Sequence, residues 1–512
     1  MDVLVPLIRE RPQVAQAHYL LASAYLAQQN GAQALAVYQQ MTELFPQDPQ
    51  PHFLIGTMLL AERKLPEARN AFEKSIGISP NHLPAIERLV DLDLGEQKFA
   101  AAMSRVQQQI DRDPKLALAW AIRGKIYLAQ RDFSHAEPDF LKALDLDPDL
   151  EPAYLLLAQL YLASNKPEQA IEKLNGFIEK NPTAPALMML AGIHQRSKNF
   201  DAARDTYEKV LTVIPNSVSA LNNLAVLYSE HLGLPDKAYD SAKKARDLAP
   251  NEPHAADTLG WILFKKAEYR TALQLLQESA GKLPDSPEIQ FHLGMAHYML
   301  GQDDAARVAL QKATGATTDF PGKDEARRRL AVLNISTEAA NPANRADLDK
   351  FVGEMPNDPA ALFRLAKLRE KDGAIDEAIK IYGKIIDGNP LYAPAMRQQA
   401  ILYGQRDDPK AFDLVTKARQ AYPDDPEIAK WLGVQNYRRE YYARAADLLK
   451  EAALKRSDDP EVLYYLGEAQ RRVKQWTECK VSLERALGLN LASALADRAK
   501  VALAECSESA SP

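Results

Sequence analysis

The chain has 512 residues, 46% of them hydrophobic and 26% charged, with a formal net charge of −6. This composition belongs to a folded protein with room for two or more domains, and it excludes collagen-like and disordered classes. No basic excess is present to draw a nucleic-acid backbone, and no stretch approaches eighteen uncharged apolar residues, so neither a nucleic-acid partner nor a transmembrane segment is expected.

In chain order, Met1 to Val14 lacks the apolar middle of a signal peptide, because Arg9 and Glu10 interrupt it early. Leu4, Leu7 and Pro12 instead fall in the phase of a second helix and its closing proline, so residues 1–14 read as the second half of a truncated repeat. An orphan half-repeat leaves apolar surface uncovered. The natural protein is therefore expected to extend upstream, with any export signal in that extension. Periplasm or cell envelope is the expected compartment with such a signal, and the cytoplasm without it.

From there a repeat dominates. Pro12, Pro46, Pro80, Pro114, Pro148 and Pro182 are each 34 residues apart, and Pro215, Pro250 and Pro284 continue the series with slips of one residue. A small residue recurs in phase at Ala22, Gly56, Gly124, Ala158, Ala191, Ala225, Gly260 and Gly294. A second small residue follows about twelve positions later, as at Ala34, Ala68, Ala136 and Ala170. Small residues in this pattern predict pairs of antiparallel helices in close approach. Turn signals such as Gln29-Asn30-Gly31 and Asn165-Lys166-Pro167 separate the members of each pair. Large apolar residues four and seven positions after the second small one, as in Phe140 and Ala143, mark one helix face. Residues 83–116 are the most degenerate unit, with Val90 and Asp93 at positions where other units carry Gly and Tyr.

The register breaks at Thr314 to Gly322. A charged amphipathic helix over Lys323 to Asn334 is expected to cap the first array, with Leu330 and Leu333 against the last repeat and Arg327, Arg328 and Arg329 largely solvated. Residues 335–345 carry no periodicity and read as a linker. A short helix near Leu348 and Phe351 precedes a second array of four repeats over about 359–490, marked by Ala366, Ala400, Gly433 and Gly467. The Ala-rich helix Ser493 to Glu505 is the expected second cap, and residues 507–512 a disordered tail.

Trp120, Gly124 and Tyr127, followed by Ala136, Phe140 and Pro148, resemble the tetratricopeptide-repeat (TPR) signature of Trp-x2-Leu-Gly-x2-Tyr, then Ala, Phe and Pro; Arg123 stands in the Leu position. The resemblance covers nearly the whole chain. It implies an all-α fold, an α-solenoid of stacked antiparallel helix pairs in two arrays. The first, residues 15–334, holds about nine repeats and a cap helix; the second, residues 346–506, holds about four repeats and a cap helix. It implies a non-catalytic protein–protein interaction scaffold that binds protein or peptide segments, with no cofactor.

The residues agree with the absence of chemistry. There is no phosphate-binding Gly-x-x-x-x-Gly-Lys-Ser/Thr loop and no Gly-x-Gly-x-x-Gly after a strand. His292 and His297 are five apart, on different helical faces, so no metal pair is expected. Asp424-Asp425 and Asp458-Asp459 sit just before helices, where they cap free amides. Cys479 lies on an apolar stripe and reads as a buried free thiol; a bridge to Cys506 does not follow from spacing.

In the TPR family the first helices of successive repeats line a concave surface along which partner segments lie. Carried onto this sequence, the groove positions are Leu155, Gln159, Met188, Gln195 and Asn222. In repeats eight and nine they are Asp257, Trp261, Phe264, Phe291, Met295 and Tyr298, an aromatic row that reads equally as binding anchors or as filling of the seam between repeats. In the second array they are Arg364, Lys367, Arg397, Lys430, Arg438, Arg471 and Arg472. These cations either grip an acidic peptide or terminal carboxylate, or pair with Glu370, Glu427, Glu461 and Glu468. The Lys–Asn pair of C-terminal-carboxylate clamps is absent from every first helix, so no such clamp is assigned. Asp257 to Lys266 and Ile289 to Ala296 also resemble the distal repeats of bacterial TPR proteins of exopolysaccharide-export and exosortase (PEP-CTERM) systems. That implies a scaffold in a bacterial envelope assembly; the alternative is a cytoplasmic adaptor or co-chaperone-like peptide-binding protein. The oligomeric state stays open.

Overall fold

The computed structural model describes residues 3–337, 342–406 and 408–509, and side chains throughout these except those of residues 342, 343 and 421. Among the described residues there are thirty α-helices and no strand, the all-α solenoid the repeat implies. The chain divides into two compact units, Met1–Gly233 and Leu234–Pro512.

The first unit opens with the short helix Leu4–Glu10, whose Leu4 and Ile8 pack against the core of the first helix pair. Six helix pairs come next, from Ala15–Ala27 with Gly31–Leu44 through Ala184–Arg196 with Phe200–Val213, and then the helix Val218–Glu230. Within a pair the close approach falls where the small residues lie. A β-carbon on Gly56 would sit 2.6 Å from the ring of Phe72, and one on Gly124 would sit 2.6 Å from the ring of Phe140. The degenerate third pair has a different solution. Its Asp93 is buried and held by Arg69 at 2.6 Å and Arg105 at 3.0 Å. In the fourth pair Arg123, the departure from the signature, makes a two-pronged bond to Asp139 at 2.7 Å through both contacts, with Trp120 beneath its guanidinium.

Except in the pair Ala393–Gln405 with Lys410–Ala421, whose turn contains residue 407, outside the described residues, the turn inside the pairs is built the same way in both units. One residue takes a left-handed backbone (φ 56–77°), at Gln29, Arg63, Gln97, Arg131, Asn165, Lys198, Ala267, Gly301, Gly373, Glu440 and Lys474. Its N–H, and that of the next residue, fold back onto the last carbonyls of the first helix. Gln29 N–H donates to Leu26 O and Asn30 N–H to Tyr25 O, and the same two bonds recur from Lys474 to Arg471 and from Gln475 to Gln470. This is a Schellman closure, which satisfies helix-end carbonyls and reverses the chain in two residues.

In the second unit the helix Pro235–Leu248 leads into the pairs Pro253–Lys265 with Tyr269–Lys282 and Pro287–Met299 with Asp303–Gly315. The helix Lys323–Asn334 then covers the last of these, with Leu333 buried and Leu330 partly so. It is not a terminal cap, however. One core cluster runs from Phe291 and Tyr298 through Ala326 and Leu333 to Leu348, Ala360 and Leu368, which joins the two expected arrays inside one unit. Arg329, expected to be solvated, is instead paired with Asp358 and Glu325; Arg327 and Arg328 stay exposed. The boundary between compact units thus lies far upstream of the expected linker. Of that linker, residues 338–341 lie outside the described residues, and the helix Pro342–Glu354 takes in its last four positions.

Four more pairs complete the repeat, from Pro359–Lys371 with Ile375–Gly388 to Pro460–Arg472 with Trp476–Gly488. Asp358, Asp425 and Asp459 cap their first helices; Asp425 Oδ1 accepts from the Glu427 and Ile428 amides. The last helix, Ser493–Ser509, reaches into the expected tail, so residues 507–509 are helical; residues 510–512 lie outside the described residues. It is tied down covalently. Cys479 and Cys506 form a disulfide with both side chains fully buried, in place of the expected free thiol.

A non-glycine residue in the left-handed region carries a steric penalty of about 1–2 kcal/mol, partly offset by the greater chain freedom glycine loses. Ala267 has only a methyl to lose at such a turn. Ala267→Gly is expected to raise local stability by about 0.5–1 kcal/mol, read as slower hydrogen exchange in helices Pro253–Lys265 and Tyr269–Lys282. Faster exchange would contradict steric strain at the turn.

Candidate functional site

The two members of each pair are not equivalent. Within each unit, successive first helices approach one another more closely than successive second helices do, as for Leu83–Gly95 against Ala117–Ala129 and Pro426–Arg438 against Pro460–Arg472. The first helices therefore lie on the inside of each unit's curvature, and their free faces form its concave side.

In the first unit that face carries polar and thioether side chains. Gln159 is exposed, and Leu155, Met188, Gln195 and Asn222 are half-buried. Gln195 Oε1 accepts from the Tyr207 hydroxyl, which also accepts from Asn223. The amide oxygen of Asn222 is buried and finds no donor among the described residues.

In the second unit the aromatic row separates. Trp261 and Phe264 stay half-exposed and stack with ring centroids 4.7 Å apart; Trp261 also stacks on His292 at 4.1 Å. Asp257 is buried, with both carboxylate oxygens 3.0 Å from His292 Nδ1. Phe291, Met295 and Tyr298 are only 4%, 5% and 0% exposed, so these three positions are not groove anchors. The chain at the register break supplies their cover. Phe291 lies against Gly322, whose left-handed backbone (φ 97°) also leaves no room for a side chain, and near Phe320. Tyr298 donates to Asp358 at 2.7 Å, beneath the Arg329 guanidinium. These are seam residues that weld the pair Pro287–Met299 with Asp303–Gly315 to the helices Lys323–Asn334 and Pro359–Lys371.

The cations of the second array divide as well. Arg364 is buried and bound to Asp303 at 2.7 Å and to the Leu333 and Ala360 carbonyls. Lys367 pairs with Glu370 at 3.3 Å, and Arg471 with Glu468 and Glu505. Lys430 has Asp459 at 2.9 Å and Glu461 at 2.8 Å. Burial alone would lower its pKa, but those two hydrogen bonds outweigh it and the net shift is upward. Arg472 lies over the Tyr442 ring. Arg397 and Arg438 have no hydrogen bond or ion pair to any described residue. Burial pushes the half-buried Arg397 below the ordinary arginine value, against the nearby Asp425.

Both unpaired arginines line one depression of about 550 Å³. Its walls come from three consecutive first helices: Arg397, Ile401, Gly404 and Gln405; then Glu427, Lys430, Trp431, Val434, Gln435 and Arg438; then Glu461. Trp431 fills the space over Gly404, where a β-carbon would be 2.8 Å from its ring. Sequence spacing had pointed to Arg397, Lys430 and Arg438 but not to Trp431, Ile401 or Val434. For Ile401 and Val434 the signal was present, since each lies four residues after a cation on its first helix; Trp431 falls outside that spacing. Among the described residues no group of three His, Cys, Asp or Glu side chains could hold a metal ion, and no helix is long and apolar enough to cross a membrane.

The burial of Phe291 generates a direct test. Phe291→Ala empties a packed site and is expected to cost about 3–5 kcal/mol, with faster hydrogen exchange in helices Pro287–Met299 and Lys323–Asn334. A change within about 0.5 kcal/mol, the range of ordinary surface substitutions, would return Phe291 to the exposed face.

Models of the tetratricopeptide repeat match residues 3–49, 19–82, 88–151, 127–193, 184–217, 263–321 and 360–391, together more than half of the chain. Protein CTR9 homolog of Arabidopsis thaliana is 24% identical over 249 residues, 47% of this chain and 22% of the relative. Small glutamine-rich tetratricopeptide repeat-containing protein 2 of Mycosarcoma maydis is 26% identical over 123 residues, 24% of this chain and 35% of the relative. The chain thus spans well under half of these curated relatives. Among solved structures, Pseudomonas aeruginosa pilF is 20% identical with a TM-score of 0.37, over 42% of this chain and 98% of that one. The P58(IPK) TPR domain is 17% identical with a TM-score of 0.31, over 76% of this chain and 98% of that one. With the repeat models matched in both units and the helix pairs in register, the chain belongs to the tetratricopeptide-repeat family.

Proposed function

We propose that this chain is a non-catalytic scaffold that holds protein partners, through extended peptide segments, along the concave face formed by its first helices. The observation that carries the reading is that this face is left open while the second helices cover the outside: Gln159 is exposed, Met188 and Gln195 are half-exposed, and three first helices enclose the depression at Trp431. Affinity on such a surface comes from a few anchors rather than from total area. Photo-crosslinking tests the assignment. A photoreactive residue at Gln159 or Gln195, on first helices, is expected to trap a partner in cells of the source organism. The same residue at Leu141 or Leu454, exposed on second helices, is expected to trap none. Adducts confined to the second-helix positions would overturn the reading.

The disulfide favours one setting over another. Buried structural disulfides persist in oxidising compartments and are rare where glutathione and thioredoxin keep thiols reduced. The pairing of Cys479 with Cys506 therefore supports placement in the cell envelope, in keeping with the resemblance to export and sorting scaffolds, over a cytoplasmic adaptor. Protein taken from its source under acid quench is expected to show no alkylatable thiol until reduced. Two free thiols before reduction would favour the cytoplasmic alternative.

A further inference from the structure

Along the second series of first helices most charges are neutralised in place. Lys367, Lys430 and Arg471 each have carboxylate partners, and Glu427 is held by Arg456. Arg397 and Arg438 are exceptions, and both open into the depression at Trp431. A guanidinium carries five donors in a rigid fork and does not shed its charge. Arg397 is half-buried and has no acceptor among the described residues, so its donors are free to take one that arrives with a ligand.

The two arginines sit at opposite ends of the depression. Arg397 is the fifth residue of helix Ala393–Gln405, level with Lys430 in helix Pro426–Arg438, while Arg438 is the last residue of that helix. The eight residues from Lys430 to Arg438 rise about 12 Å. Ile401, Val434 and the Trp431 ring form an apolar floor between the two ends. An extended chain advances about 3.4 Å per residue, so it covers that span in three or four residues.

We propose that this depression takes an extended peptide segment in which an apolar side chain, seated on Trp431, is flanked by two acidic side chains three or four residues apart, one reaching Arg397 and the other Arg438. The inference rests on the scaffold reading and adds the chemistry of the partner. Carboxylates recruit both forks through charge-assisted bonds, whereas a basic or neutral segment would cover both guanidiniums without answering their charge.

Selection of a random peptide library against the full chain tests this. Enriched peptides are expected to carry Asp or Glu three or four positions apart around an apolar residue. Their affinity, read by fluorescence anisotropy, is expected to fall about tenfold or more in R397Q/R438Q, and equally when the peptide acids are changed to Gln. Arg438→Gln alone, at an exposed helix end, serves should the double variant unfold by circular dichroism, and is expected to weaken binding in the same direction. Amidating the peptide's C-terminus is expected to change nothing; loss of binding on amidation would make the ligand a terminal carboxylate and overturn the internal-acid assignment. Enriched peptides without acids, or binding indifferent to these arginine variants, would overturn the pocket while leaving the scaffold reading in place. No enrichment at all on the wild-type chain would overturn both.

Discussion

The helix pairs cross where the first helix carries a small residue, and in six of them its backbone has no room for a side chain because the other helix fills the space. Phe72 rests on Gly56, Phe140 on Gly124, Leu276 on Gly260, Leu310 on Gly294, Leu449 on Gly433 and Leu483 on Gly467, always sixteen residues apart. With the crossing set by a small residue and the turn, in all but one pair, by a left-handed residue, the pairs share nearly the same shape. Units of one shape stack with one rotation between neighbours. The first helices are thereby brought side by side within each unit, and their free faces become a continuous surface. The depression at Trp431 exists because three such helices arrive in the same register.

Where the repeat departs from its pattern, charge fills the gap. Asp93, standing where several other pairs carry Tyr, is enclosed by two guanidiniums, and Arg123 with Asp139 stands where the repeat signature has Leu. After Gly315 the chain leaves register, and the seam is closed by Tyr298, Asp358 and Arg329 together with Arg364 and Asp303. Buried pairs of this kind contribute little net stability but are strongly destabilising to break. They fix how the helices after the break dock, a place where repetition alone would leave the arrangement undetermined.

The proline and small-residue lattice made the helix pairs legible in the sequence, because the constraint behind it is steric and local. The turn residues were not legible as left-handed: Gln29, Arg131, Lys198 and Glu440 have no common chemistry, and the position is imposed by the closure of the helix end. First-helix spacing found the faces of Phe291, Met295 and Tyr298 but could not say what lies over them, since the covering chain comes from beyond the break. The same spacing found the cations of the second array. Which of them are neutralised depends on residues such as Asp303, 61 positions before Arg364, and Asp459, 29 positions after Lys430. The pairing of Cys479 with Cys506 depends likewise on how the last helix docks.

If near-identical pairs in constant register leave the first-helix face of the second unit as a binding surface, a partner segment must be found lying on it. A crystal structure of the chain with a bound partner segment decides the matter. Density is expected for an extended peptide across helices Ala393–Gln405 and Pro426–Arg438, in contact with Trp431. A partner seated instead on the second helices Lys410–Ala421 and Tyr442–Lys455, with the first-helix face empty, would refute that role for the concave side.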